Sequence, residues 1–246
     1  MVKMHQLINK ALDEHHHFLL DGVELSSNYG MPILHPSLCE VPRKIIPFSK
    51  AISLLWTDYD CWVCFYEADR KFERFWNTPQ KYLARLKKFK GIITPDFSLS
   101  IYADEVDQFE QIFRGRLLAA WLEREGIPII PNIRYANRYS RPLCCDGISE
   151  HAMIAIGTNG FLRDRFFRQT TAEGVDFAIA TIKPQIVLVY GGCPNKIFGK
   201  YIQQGIDVIP FKSQIKIAHE ASAFRKKQEK IHEVNAKQGG LFDGIN

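Results

Sequence analysis

Short apolar runs separated by helix-length segments constrain this chain more than any other feature. Residues 186–190 read IVLVY, five consecutive apolar positions. A strand of that kind is buried on both faces, as in parallel sheets covered by helices. Similar runs at 61–66, 91–94, 127–133, 153–157 and 207–210 bring the strand candidates to six. Amphipathic stretches at 79–89, 104–125, 171–182 and 195–203 lie between them. Thr78-Pro79 reads as a cap followed by a first-turn proline, and Gly126 and Gly205 read as stops. The alternation predicts an α/β fold of parallel strands and helices, as an incomplete (β/α) barrel or a doubly wound sheet. In both layouts ligands sit at the C-terminal ends of the strands. No strand tip carries a nucleotide fingerprint, which favours the barrel.

Three regions are expected. Residues 1–47 form a helix over 2–20 and then a turn-rich cap with Pro32, Pro36, Pro42 and Pro47. Residues 48–212 are the α/β body. Residues 213–246 are a basic helix, 214–237, and a flexible tail. Charge is concentrated there: from Lys212 onward the chain holds seven Lys/Arg against four acids, which is +3 of the formal +5.

Mean hydropathy is −0.17 and no long charge-free apolar run is present, which argues against a membrane partner. The opening residues lack the apolar stretch of a secretion signal, so a cytoplasmic location is expected. The six cysteines are then reduced thiols. Cys61 and Cys64 form a CxxC, but residues three apart on a strand face opposite ways. His15, His16 and His17 cannot share one helix face. Neither set predicts a metal site, and no motif identifies a cofactor.

Polar residues follow the apolar runs. Asp96 follows the run at 91–94, and Asp146 precedes the run at 153–157. As a pair, these acids would suit a hydrolytic enzyme acting on a phosphodiester or a small molecule. RYANRYSR supplies Arg134, Tyr135, Arg138 and Arg141. The stretch after 153–157 supplies Asn159, Arg163, Arg165 and Arg168. Arginine forks suit phosphate and interleaved aromatics stack on bases, so both stretches read as rim loops for nucleic acid or phosphate. YGGCPNK places Gly191, Gly192 and Lys196 between a strand and a helix, as an anion cradle or, more simply, a tight turn.

FERFWNTPQKYLARLKKFKGIITPDFSLS, IIPNIRY, CCDGI, MIAIGTNG and LVYGG together resemble a family of phage, plasmid and mobile-element proteins, domain of unknown function 4417. The chain departs from that family's pattern at Ile133-Arg134-Tyr135 and in the arginine-rich stretch after Asn159. The resemblance implies a mobile-element context and no activity.

Gln238-Gly239-Gly240-Leu241-Phe242 resembles the bacterial sliding-clamp-binding peptide, in which Gln238 would supply hydrogen bonds and Leu241 and Phe242 would supply apolar anchors. The leading expectation is a DNA-associated mobile-element protein with a nucleic-acid-binding rim and a tail docked on the replication clamp. The alternatives are the Asp96/Asp146 enzyme and a non-catalytic modulator of host replication or defence.

Overall fold

A computed structural model of the chain describes residues 16–36, 40–162 and 164–239. The chain divides into two units, Met1–Pro210 and Phe211–Asn246.

The first unit is an α/β body. Its first four strands are β1 (Ile45–Pro47), β2 (Trp62–Cys64), β3 (Gly91–Ile93) and β4 (Ile129–Ile130). They pair in parallel in that order. A second sheet contains β5 (Ile154–Gly157), β6 (Ile186–Tyr190) and β7 (Asp207–Phe211), again in chain order. Two hydrogen bonds stitch the sheets together: Ile133 N donates to Ala155 O at 2.8 Å, and Ala155 N donates to Pro131 O at 2.8 Å.

Among the described residues, seven strands therefore follow one another without a reversal. A doubly wound sheet needs a reversal, the point at which helices change face. With right-handed crossovers, an unreversed order winds every helix onto the same side. This is the arrangement of an incomplete barrel. The strand β1 falls inside the stretch expected to be an irregular cap, where Pro42 and Pro47 hid the short Ile45-Ile46 run.

The helices of the body are α1 (Phe48–Ala51), α2 (Glu73–Asn77), α3 (Gln80–Leu86), α4 (Glu105–Arg124), α5 (Ser140–Cys145), α6 (Arg165–Ile182) and α7 (Asn195–Gln203). Helix α6 begins six residues before the expected start because Asp164 caps it, accepting from Phe166 N at 2.7 Å. Thr78 does not cap α3; its hydroxyl donates back to Arg74 O. Most of the predicted 2–20 helix lies outside the described residues, and His17–Leu19 is a single 3₁₀ turn.

Two apolar clusters fill the body. One packs Phe48, Phe65, Phe72 and Phe75 with Trp121 of α4. The other packs β5 and β6 against α6 and α7 through Ile156, Val189, Val175 and Phe198. Phe113 of α4 touches both. Cys61 sits in the first cluster and Cys144 and Cys145 in the second.

Arg116 of α4 is buried among these apolar groups. It donates to Asp146 O at 2.5 Å and to Cys144 O at 2.8 Å, which ties the longest helix of the body to the end of α5. Burial lowers its pKa to about 10.

The second unit contains α8 (Gln214–Gly239), with Lys212 paired to Glu220 at 2.8 Å. Its described apolar side chains, including Ile215 and Phe224, are exposed. Among the described residues no helix is long and apolar enough to cross a membrane.

Arg116→Met keeps the side-chain volume but removes the donors to the carbonyls of Pro32, Cys144 and Asp146. It is expected to cost about 1–3 kcal/mol, read as a lower urea midpoint with an unchanged slope.

Candidate functional site

The C-terminal ends of the strands carry a connected polar chain. Tyr66 lies two residues beyond β2, and its ring stacks on Tyr190 at the end of β6, with centroids 4.6 Å apart. The ring fits because residue 157 is glycine: a Cβ there would lie 2.7 Å from it. The Tyr66 hydroxyl donates to Asn132 Oδ1 at 2.9 Å. Asn132, just past β4, donates its backbone N–H to Thr94 Oγ1 at 2.8 Å and its Nδ2 to Asp96 Oδ1 at 2.8 Å. Arg134 Nε stands 3.7 Å from that same carboxylate oxygen. Burial raises the Asp96 pKa, and nearby Asp69 pushes it the same way; Arg134 and Asn132 pull it down but do not cancel the rise.

Beside this chain opens a cavity of about 300 Å³, at the small end of the range for ligand pockets. Leu99, Tyr135, Phe161 and Phe167 line it together with Arg134. The Arg134 guanidinium rests on the Phe161 ring, 4.7 Å from its centroid. Among the described residues Arg134 is the one charged side chain in the lining. Tyr135 is held by its hydroxyl, which donates to Thr171 O at 2.8 Å.

The lip is different in character. Tyr102 lines the cavity yet is 89% exposed. Phe166 is 58% exposed and meets Phe167 edge to face at 5.7 Å. In sequence, Arg138 comes two residues after the lining residue Ala136, and Arg165 and Arg168 flank Phe166 and the lining residue Phe167; all three are exposed.

The predicted rim residues thus divide. Arg134 and Tyr135 turn inward to the cavity. Arg141 is engaged by Glu173 at 2.5 Å, and this pairing lowers the Glu173 pKa. Arg138 and Arg165 remain exposed. Arg163 lies outside the described residues. Arg165 and Arg168 ride on the first turn of α6 instead of a loop, a consequence of the Asp164 cap.

The glycine turn is closed from within. Gly191 has φ +120°, a conformation that favours glycine, and a Cβ there would meet Asn159 Oδ1 at 2.7 Å. Thr158 Oγ1 donates to Gly192 O at 2.7 Å. Lys196 is exposed in the first turn of α7. Burial pushes the Cys193 thiol up, the wrong direction for a nucleophile at neutral pH.

Asp96 and Asp146 are held separately. Asp96 leaves the C-terminal end of β3. Asp146 follows α5, on the segment entering β5, and its carboxylate accepts from Ser26 Oγ and, at 3.5 Å, from Asn28 Nδ2. No described hydrogen bond or ion pair links the two acids. Of the clamp-like peptide, Gln238 is in the last turn of α8, while Leu241 and Phe242 lie outside the described residues.

Sequence reading missed Tyr66, Asn132, Tyr102 and Phe161. Asn132 was hidden because the apolar run reads through to Ile133, whereas β4 ends at Ile130. Its polar side chain inside that run was the available signal.

A buried acid whose folded pKa is raised contributes stability below its ordinary value of 3.8 and loses it as pH rises through the folded value. Between about pH 4 and pH 7 the wild type is therefore expected to lose stability relative to Asp96→Asn. Urea titrations of both proteins across that range check this; parallel curves would show that Asp96 titrates as an ordinary carboxylate.

The profile of the family described as Domain of unknown function (DUF4417) matches residues 23–212. The chain is 31% identical over 127 residues to the "Gene 1 protein" of Mycobacterium phage L5, covering 52% of this chain and 56% of that protein. It is 28% identical over 127 residues to the "Gene 1 protein" of Mycobacterium phage D29, covering 52% and 47% respectively. The chain thus spans about half the length of the curated relatives it matches. No solved structure matches it. With most of its length, including every strand of the body and the whole polar chain at their tips, inside the matched region, the chain belongs to the DUF4417 family.

Proposed function

We propose that the protein is a DNA-associated protein of a phage or other mobile element, and that it holds single-stranded nucleic acid at the strand-tip end of its α/β body. One unstacked nucleotide would enter the cavity. The carrying observation is the cavity's two-part construction: apolar aromatic walls with one arginine inside, and an exposed lip of Tyr102, Phe166, Arg138, Arg165 and Arg168. Aromatic platforms beside cationic groups suit single strands, whose bases are free to stack. Duplex bases are already stacked and paired, so their faces are unavailable to such a lip. The two phage relatives support the mobile-element context.

The tail adds a second element to the reading. Gln238, Leu241 and Phe242 would tether the protein to the replication sliding clamp, a role that rests on the peptide's sequence and on its place at the end of a basic helix, whose last turn includes Gln238.

Fluorescence anisotropy with a labelled single-stranded oligonucleotide tests the body. Tyr102→Ala is expected to weaken binding on the order of tenfold, the loss of one stacked base. Joint replacement of Arg138, Arg165 and Arg168 by Ala is expected to reduce the slope of log K against log salt by about 2. Unchanged affinity and slope in these variants would overturn the proposal. For the tail, Leu241→Ala with Phe242→Ala is expected to abolish a pull-down of purified sliding clamp; retained capture would remove the tether.

A further inference from the structure

Resting on the single-strand reading above, we infer that the cavity selects guanine, through the paired donors of the Arg134 guanidinium. Three observations converge on this. First, the guanidinium is held at both ends of its reach. Its Nε stands 3.7 Å from Asp96 Oδ1, and its central carbon lies over the Phe161 ring, 4.7 Å from the centroid. The Nε is buried and makes no hydrogen bond of its own, so it is committed to Asp96 by charge alone. What remains for a ligand is the outer pair of nitrogens, a fork of two parallel donors.

Second, the lining holds no acidic side chain to receive donors from a ligand, among the described residues. Of the five hydroxyls in the lining, those of Tyr135 and Thr171 are engaged within the protein. Tyr135 donates to Thr171 O, and the Thr171 hydroxyl donates to Phe167 O at 2.8 Å. A ligand edge facing Arg134 must therefore present acceptors. Guanine offers O6 and N7 side by side, while the same edge of adenine sets an amino donor beside N7; an unpaired cytosine can also turn O2 and N3 to the fork, but its single ring covers less of the aromatic walls than a purine does. Thymine presents one acceptor next to a methyl group.

Third, the lip carries separate cations. Arg138, Arg165 and Arg168 are exposed and do not line the cavity, which suits them to backbone phosphates. This leaves the interior arginine for the base, a division between contacts that position and contacts that specify. A phosphate would also satisfy a fork of two donors, but it would leave the walls of Phe161, Phe167 and Tyr135 without a ring to cover.

The test compares thymine oligonucleotides that carry one central guanine, adenine or cytosine with the all-thymine strand. The guanine strand is expected to bind about tenfold more tightly than the adenine strand. In Arg134→Lys, which keeps the charge and loses the fork, that ratio is expected to fall to about one. Circular dichroism verifies that the variant is folded. A second measurement needs no variant: guanosine and guanosine monophosphate should each raise the melting temperature of the wild type, and adenosine should not. Equal binding of the four strands, or a preference for cytosine, overturns the guanine assignment and leaves the single-strand reading standing. Stabilisation by adenosine and guanosine monophosphates alike, without stabilisation by guanosine, places a phosphate in the fork and also overturns it. Stabilisation by guanosine with no binding of any oligonucleotide upholds the guanine site and removes the single-strand reading. If neither nucleosides nor strands bind, both fail.

Discussion

The pair of hydrogen bonds at Ala155 holds the molecule's functional end together. Each sheet is short, with strands of two to five residues; the first brings Tyr66, Thr94, Asp96 and Asn132 together at its strand ends, and the second adds Gly157 and Tyr190 against Tyr66. By accepting from Ile133 N and donating to Pro131 O, Ala155 sets β5 beside the residue that follows β4. Asn132 lies between those two bonded positions, so its side chain is aimed by backbone geometry. From that point it reaches Tyr66 on one side and Asp96 on the other. Three strand tips, those of β2, β3 and β4, then behave as one polar network in a low-dielectric setting, where satisfied hydrogen bonds strengthen one another, and β6 joins it through the Tyr66–Tyr190 stack.

The same network explains why the cavity contains an arginine that is not consumed. Asp96 is buried, which raises its pKa, and its Oδ1 already accepts from Asn132. Arg134 stands 3.7 Å from that oxygen, at the distance of an ion pair without a close hydrogen bond. Phe161 supports the opposite contact through its ring. The guanidinium is oriented by both neighbours and saturated by neither. Arg141, seven residues on, shows the contrast: its Nη2 closes on the Glu173 carboxylate at 2.5 Å, a hydrogen-bonded ion pair.

Much of the architecture was legible. The apolar run at β6 and the alternation around it required parallel strands, because a strand without a polar face has to be covered twice. The strands at β3, β5 and β6 lie where their runs predicted. Helix α7 begins and ends at the expected residues, marked by the glycine turn before it and Gly205 after it. The start of α6 was less legible, since Asp164 lies in a polar stretch that reads as loop until its carboxylate is seen on the Phe166 N–H. For β1 the signal was two isoleucines among prolines, too short to show a period. The arginines were visible as a cluster, but sequence spacing does not say which of them meets an acid from another element.

What the sequence by itself determined is the class of the protein: parallel strands joined by helices, polar residues at strand ends, a basic helix after the body, and the motifs that belong to the DUF4417 family. These follow from local patterns, in which each residue's burial repeats with the period of its own element. The tertiary structure alone decided the unreversed strand order, the separate anchoring of Asp96 and Asp146, and the division of the arginines between cavity, ion pair and lip. Those outcomes depend on contacts between residues tens of positions apart, such as Tyr66 with Asn132 and Arg134 with Phe161, and no local pattern encodes which distant side chain a residue will meet.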